Sequence, residues 1–109
     1  MEIVHNKLIR DNIPEIIRAK GQTLVVSILD DDRYINALND KLLEEVTEFR
    51  EDNCLEELCD ILEVAYAIAE AMGYSNCDIE NCRDGKNAKN GVFMKKLFLE
   101  KVISESIKC

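Results

Sequence analysis

The sequence has few of the residues that mark several common kinds of catalytic site. Histidine occurs once, as His5 near the N-terminus, and the four glycines do not form a glycine-rich stretch. The absence of a G-x-x-x-x-G-K-[ST] motif excludes P-loop phosphate chemistry. A lone histidine in a terminal arm is more often incidental than catalytic, and no set of residues indicates a nucleophilic triad.

Long apolar runs are also missing. No stretch approaches the roughly 20 apolar residues that a membrane-spanning helix needs. The start, MEIVHNKLIRDN, lacks the apolar region of a signal peptide, so we expect a cytoplasmic protein. The 109 residues contain no repeat, low-complexity stretch or long linker, which predicts a single domain over residues 1–109.

The charge is strongly unbalanced. Aspartate and glutamate number 22 against 14 lysines and arginines, for a net charge of −8 and an isoelectric point near 4.6. This balance argues against a nucleic-acid polymer or an anionic membrane as the partner. A polyanionic substrate would approach such a surface with metal ions to screen the repulsion.

Cysteine is present in an odd number, five, which in a chain that is not secreted suggests reduced thiols. Cys54 with Cys59, and Cys77 with Cys82, share a C-x₄-C spacing, so a four-cysteine zinc site is one alternative. That spacing is wider than the usual C-x₂-C of structural zinc sites, which disfavours it.

Helical patterns dominate the chain. Four helices are predicted: from Asp11 or Asn12 to Gly21 with Pro14 in the first turn, and over about residues 32–51, 54–72 and 76–89. The β-branched segment 23–29 is typical of one strand, paired with 92–98 or lying as an extended strap. We therefore predict a mainly α helical bundle with at most a short strand or hairpin.

An acidic pattern occupies the two long helices: E-E-x-x-E at residues 44–48, followed by E-x-x-D at 57–60. Residues three apart share a helix face, so Glu45 with Glu48 and Glu57 with Asp60 each form a candidate clamp. If the helices are antiparallel, the four carboxylates converge. Glu44, Glu51, Glu56 and Glu63 are interpreted as ordinary solvated acids.

Helical phase separates these acids from the apolar stripes. At about 100° per residue, the predicted stripe of the first long helix is Ile35, Leu38, Leu42, Val46 and Phe49. The predicted buried arc of the second is Leu58, Ile61, Leu62, Ala65, Ile68 and Met72. Glu57 falls inside this arc, where a carboxylate is costly without a partner. Carboxylate sites without cysteine or histidine suit Mg²⁺ or Mn²⁺.

The ordered acidic motif resembles the signature of the MazG-like all-α nucleotide pyrophosphohydrolases, which include the phosphoribosyl-ATP pyrophosphohydrolases. The likeness extends to NKLIRDNIPEIIRAKG at residues 6–21, LLEEVTEF at 42–49 and LEELCDILEVAYAIAE at 55–70. It covers nearly the whole chain. The chain departs from the family pattern at residues 86–93, KNAKNGVF. Here Asn90 stands where arginine is common in the family, and Val92 stands in place of a glycine.

The resemblance implies Mg²⁺-dependent hydrolysis of a nucleoside triphosphate to the monophosphate and pyrophosphate, in the manner of nucleotide-pool house-cleaning enzymes. It implies Mg²⁺, with Mn²⁺ as a substitute, held by Glu45, Glu48, Glu57 and Asp60. Phosphates would be met by Lys7, Arg10, Lys41, Lys86 and Lys89. Independently of the resemblance, the wide apolar stripes on a short chain predict a homodimer or homotetramer. Two alternatives stay open: phosphoribosyl-ATP pyrophosphohydrolase, and a non-catalytic acidic helical binding module.

Overall fold

The protein is described by a computed structural model, in which residues 1–104 are described. It contains four α-helices: α1 Ile13–Ala19, α2 Asp31–Asp52, α3 Leu55–Ala71 and α4 Asn76–Asn90. The described part of the chain has no strand. The prediction of a mainly α fold is therefore confirmed. Cys109, the fifth cysteine, lies outside the described residues.

Local sequence signals account for the helix ends. The Asp30 carboxylate accepts a hydrogen bond from the Arg33 amide at 2.9 Å, which caps the start of α2. Pro14 lies in the first turn of α1, where its missing amide hydrogen costs no helical hydrogen bond. Gly73 follows α3 with a φ of 93°, a left-handed conformation that glycine adopts without steric strain.

α2 and α3 pack against each other and form the helical hairpin that carries the acidic motif. Asn53 and Cys54 are the two residues between the helices, and Asn53 adopts a left-handed conformation with φ 48°. Its amide donates to the Phe49 carbonyl at 2.7 Å, which closes the last turn of α2. So short a connection makes the two packed helices antiparallel, as the acidic pattern required.

The buried face of α2 overlaps the predicted apolar stripe and is shifted toward its polar edge. Leu38 and Glu45 are the buried residues of this helix, and Glu45 is only 5% exposed. Val46, which was predicted to lie in the stripe, is 39% exposed. Seven residues make about two turns, so Leu38 and Glu45 point in nearly the same direction. The other three residues of the predicted stripe are half-buried, so the stripe is largely covered and the most buried line of the helix runs along the edge that contains Glu45.

The buried face of α3 is rotated in the same sense. Leu58 and Leu62, predicted to be buried, are 43% and 51% exposed, and Met72 is also exposed. Glu57, Val64 and Ile68 are more covered than these residues. The prediction was right to place Glu57 on the inner side of α3 and wrong about the leucines, because the centre of the covered face lies near Glu57 itself.

Outside the helices, the structure decides between alternatives that the sequence left open. Residues 22–30 form no strand and pair with no other segment, and Val25 and Ile28 are fully exposed. The stretch after Gly91 contains no helix over residues 92–104. A β-branched run forms a strand only when a partner supplies the other half of its hydrogen bonds, and residues 1–104 supply none.

The chain divides into two compact units, residues 1–76 and the part from Cys77 onward. The first contains α1, the hairpin of α2 and α3, and the acidic motif. The second consists of α4, apart from its first residue, and the irregular segment after it. Within the described residues, no helix has the length and apolar character needed to cross a membrane.

Candidate metal centre

The helical hairpin brings three carboxylates together. Glu45 on α2 and Glu57 and Asp60 on α3 each offer one oxygen, and these oxygens lie within 4.8 Å of one another. We call this set the carboxylate cluster. It forms because Glu57 and Asp60 are one turn apart on the inner face of α3, while the two-residue turn places Glu45 opposite them. A single cation could contact all three.

Glu48, the fourth predicted ligand, lies beside the carboxylate cluster. Its carboxyl acts on both neighbours, since it helps to raise the pKa of Glu45 and works to lower that of Glu57 through a hydrogen bond. Its oxygens are not among those that meet within 4.8 Å. Glu48 therefore belongs to the same charged environment, at one side of the three-oxygen core.

Two carboxylate oxygens of the cluster are buried and have no hydrogen-bond partner: Glu45 Oε2 and Glu57 Oε2. The other oxygen of Glu45, Oε1, lies 3.2 Å from Lys41 Nζ. Leaving a buried polar atom without a partner is costly, and carboxylates tolerate it where a cation completes the site. The two unpartnered oxygens thus mark where a ligand would be held.

Burial dominates the ionisation of these two acids. It raises the pKa of Glu45 above its ordinary value of 4.5, against the lowering effect of Lys41 and with a further contribution from Glu48. Burial also raises the pKa of Glu57, and the negative charges of Glu45 and Asp60 add to the increase. Both shifts favour the protonated carboxyl when no cation is bound.

Lys41 is the cation nearest the centre of the hairpin. Its ammonium group donates to Glu44 Oε2 at 3.0 Å and also contacts Glu45 Oε1. Burial works to lower the pKa of Lys41, but the hydrogen bonds to Glu44 and Glu45 outweigh it, so the pKa is raised. The lysine that was predicted to meet phosphate is thus already engaged by two carboxylates.

The N-terminal segment supplies two more cations. Arg10 Nη2 donates to Asp60 Oδ1 at 2.6 Å, and Lys7 Nζ lies 3.4 Å from Glu44 Oε1. Lys41 and Lys7 together lower the pKa of Glu44 even though burial works to raise it. Both predicted basic residues of this segment therefore lie at the acidic motif.

The charges around the cluster leave room for one divalent cation. The carboxylates are those of Glu44, Glu45, Glu48, Glu57 and Asp60, and the cations facing them are Lys7, Arg10 and Lys41. With every carboxylate ionised, two negative charges remain without a counter-charge. An all-oxygen donor set with this excess fits Mg²⁺ or Mn²⁺, which prefer carboxylates.

Lys86 and Lys89 lie on α4, in the second unit, and both are exposed. Their assignment to phosphate binding remains a prediction. The same unit contains an open cavity of about 390 Å³, which they do not line. Its walls are Asn90, Gly91, Val92, Phe93, Lys95, Lys96 and Leu97. The cavity thus has two further lysines beside Asn90 and Val92, the two residues that differ from the family pattern.

Sequence reasoning missed the part that Glu44 plays. It was interpreted as an ordinary solvated acid, yet it contacts both Lys7 and Lys41. The three-residue spacing from Lys41 was the available signal. Glu63, interpreted in the same way, is exposed but close enough to Arg10 to help raise the pKa of that side chain. Cys54, Cys59, Cys77 and Cys82 are free thiols.

Comparison with known proteins identifies a curated relative, an uncharacterized protein of Mycolicibacterium smegmatis, that is 57% identical over 44 residues. The match covers 40% of this chain and 45% of the relative, so it spans less than half of that protein. No protein-family model matches the chain. No solved structure matches it either. Because the relative is uncharacterized, the carboxylate cluster remains the basis for inferring a function.

Proposed function

We propose that this protein is a Mg²⁺-dependent nucleoside triphosphate pyrophosphohydrolase of the MazG-like kind, which releases a nucleoside monophosphate and pyrophosphate. The observation that carries the proposal is the pair of buried, unpartnered oxygens on Glu45 and Glu57 within one carboxylate cluster. The resemblance of the acidic motif supplies the reaction class. The location would be cytoplasmic, as expected from the sequence.

The carboxylates divide into metal ligands and a general base in this proposal. Glu45, Glu57 and Asp60 would hold the metal ion, and Glu48 would act beside them as the general base. Bound Mg²⁺ would supply charge neutralisation for the phosphates and the leaving pyrophosphate. Within residues 1–104, Glu48 and Glu57 form no ion pair with a lysine or arginine. Of these two, Glu48 lies outside the three-oxygen core and would accept the proton of the attacking water.

The basic residues would share the remaining phosphate charge. Lys7 and Arg10 lie at the edge of the cluster and are both exposed on their solvent side. Lys41 is more covered and serves first as the counter-charge of Glu44 and Glu45. Lys86 and Lys89 are proposed as further phosphate contacts because the resembled pattern is basic at this stretch.

The unpartnered oxygens also distinguish the proposal from a non-catalytic acidic binding module. A protein-binding surface gains nothing from burying carboxylates without partners, since each costs free energy in the unbound state. Phosphoribosyl-ATP remains an alternative substrate because the same acidic motif belongs to both activities. The two are separated by assay.

The experiment is a measurement of pyrophosphate release from a panel of nucleoside triphosphates and phosphoribosyl-ATP, with Mg²⁺ and with EDTA. We expect monophosphate and pyrophosphate in equimolar amounts with Mg²⁺ or Mn²⁺, and none with EDTA. Release of diphosphate and orthophosphate would assign the protein to another reaction class. An absence of turnover with either metal would favour the binding module.

We further propose that the protein is a homodimer or homotetramer. α3 carries a second apolar stripe, formed by Leu55, Leu58, Leu62 and Met72, that α2 does not cover. Ala65 and Ala69 continue the stripe between Leu62 and Met72. Contiguous exposed apolar surface of this kind is characteristic of protein–protein contacts. Among the described residues, Leu38 is the one hydrophobic side chain that is buried, so a single copy of the chain covers little of its apolar surface.

A further inference from the structure

The N-terminal arm, residues 1–12, reaches the carboxylate cluster through one side chain. Arg10 donates from Nη2 to Asp60 Oδ1 across a separation of 50 residues in the chain. Asp60 is one of the three residues whose oxygens meet in the cluster. The other arm cation, Lys7, contacts Glu44, which lies outside the cluster. Arg10 is therefore the arm residue that competes for a proposed metal ligand.

The surroundings of the Arg10–Asp60 ion pair allow the guanidinium group to separate from the carboxylate. The Arg10 side chain is 56% exposed, so water screens the attraction and the pair contributes little to folding. The backbone at Arg10 is held independently of that pair, since its carbonyl accepts a hydrogen bond from the Ile13 amide at 3.1 Å. The guanidinium group can thus leave Asp60 by a side-chain rotation, without unfolding the start of α1.

We propose that Arg10 is an exchangeable counter-cation: it pairs with Asp60 when no divalent cation is bound, leaves Asp60 when one is, and then pairs with a phosphate of the substrate. The inference rests on the proposed function. It adds that Arg10 has a role both without and with the metal. In the metal-free protein it neutralises Asp60, and in the protein with metal and substrate bound it contacts a phosphate.

Electrostatics gives the direction of the exchange. A divalent cation at Asp60 repels the guanidinium and satisfies the same carboxylate, so the ion pair loses its advantage when the metal is present. Bound phosphate then offers Arg10 a new anion, to which the planar guanidinium can donate two parallel hydrogen bonds. In the metal-free protein the hydrogen bond to Asp60 raises the pKa of Arg10.

The test compares the full-length wild type with Arg10→Gln and Arg18→Gln by calorimetry, first with Mn²⁺ alone. Arg18 lies on α1 and has no ion pair within residues 1–104, so it controls for loss of one positive charge. Arg10→Gln should bind Mn²⁺ roughly threefold to tenfold more tightly, because a competitor is gone. Arg18→Gln should match the wild type.

The second titration uses inorganic pyrophosphate in saturating Mn²⁺. Here Arg10→Gln should bind about tenfold more weakly, because a charge-assisted contact is lost, while Arg18→Gln should again match the wild type. Arg10→Lys, which keeps the charge, should bind Mn²⁺ as the wild type does. Its affinity for pyrophosphate should lie between that of Arg10→Gln and that of Arg18→Gln. Opposite shifts for the two ligands are the signature of exchange.

Three results would overturn the inference. The first two concern Arg10 alone, and the third concerns the proposed metal site itself. If wild type bound Mn²⁺ and Arg10→Gln bound it no more tightly, Arg10 would position Asp60 rather than compete for it. If Arg10→Gln and Arg18→Gln behaved alike, general charge would explain the effect. If wild type bound no Mn²⁺, the proposed metal site would be wrong and this inference would fail with it.

Discussion

Glu45 is a buried carboxylate whose need for a counter-charge is met only in part. One of its oxygens contacts Lys41, while the other is buried without a partner. The surrounding Glu48 and the burial itself favour the protonated form. A side chain in this position destabilises the metal-free protein at neutral pH. We interpret that cost as the signature of a site organised for a cation.

The first prediction concerns Glu57→Gln on the inner face of α3. Metal-free Glu57→Gln should be as stable as the wild type or more so, since it removes one of the mutually repelling carboxylates. Turnover should fall by roughly a hundredfold or more, because a ligand that holds the metal is lost. Mg²⁺ at tenfold over its dissociation constant should stabilise the wild type by about 1.4 kcal/mol and the variant less.

Glu70→Gln is the matched control for that experiment. Glu70 is an exposed acid on the same helix, whereas Glu63 is less suitable because its charge acts on Arg10. Thermal melts with and without Mg²⁺, combined with the pyrophosphate assay, compare the three proteins. Equal behaviour of Glu57→Gln and Glu70→Gln would contradict the metal site.

The second prediction concerns the pH dependence of the metal-free protein. The pKa values of Glu45 and Glu57 are raised in the folded state, so the folded protein holds more protons than the unfolded chain. Stability should therefore fall as the pH rises from about 4.5 through the raised values. The charged groups that act on these carboxylates are Lys41, Glu48 and Asp52 on α2 and Asp60, with its partner Arg10.

Urea unfolding in EDTA between pH 4.5 and 8 measures this dependence. Glu45→Gln should flatten the decline, because one of the two raised groups is removed. Glu44 has the opposite shift, a lowered pKa, and its contribution changes below the ordinary value, outside this window. An identical slope in wild type and Glu45→Gln would show that burial of Glu45 does not control the decline.

At the scale of elements, the turn between α2 and α3 decides which carboxylates meet. Asn53 ends α2 in a left-handed conformation, and its amide donates to the Phe49 carbonyl. This conformation costs little for asparagine and glycine and more for residues with an ordinary side chain. The turn therefore aligns Glu45 on one helix with Glu57 and Asp60 on the next.

The third prediction follows from that conformation. Asn53→Ala should lower the free energy of unfolding by about 1 kcal/mol, since alanine is strained at a positive φ. Asn53→Gly is the matched variant and should remain within about 0.5 kcal/mol of the wild type, because glycine adopts this conformation freely. Urea unfolding gives both values. Equal losses in the two variants would assign the role of Asn53 to its side chain instead.

At the scale of the whole molecule, the first unit has more apolar surface than its own helices cover. α3 presents its inner face to α2 and a second stripe, from Leu55 to Met72, to solvent. Leucines that are half exposed in one chain are ordinary singly, but a continuous row of them favours association. A second copy of the chain is the partner we propose for this stripe.

The fourth prediction tests that partner. At micromolar concentration the wild type should sediment as a dimer or larger species, and Leu62→Glu should sediment as a smaller one, because a charge at the centre of an apolar contact is costly. Gln22→Glu adds the same charge at an exposed position outside the helices and should leave the assembly unchanged. A monodisperse wild-type monomer would contradict the homo-oligomer.

Features that depend on neighbouring residues in the chain could be predicted from local patterns. The helix limits follow from local signals such as Asp30, Pro14 and Gly73, which act within one turn of the chain. The pairing of Glu57 with Asp60 follows from the fixed angle between residues of a helix. These are the parts of the fold and of the candidate site that could be predicted without knowing what packs against them.

The rotation of each helix about its own axis was set by packing and could not be predicted from local patterns. Apolar residues surround more than half of α3, so periodicity left two faces that could have been buried, and contact with α2 selected the one that contains Glu57. The Arg10–Asp60 ion pair is likewise a product of folding, because it joins residues 50 positions apart. Side chains so distant in sequence meet only through packing, and no local pattern encodes their contact.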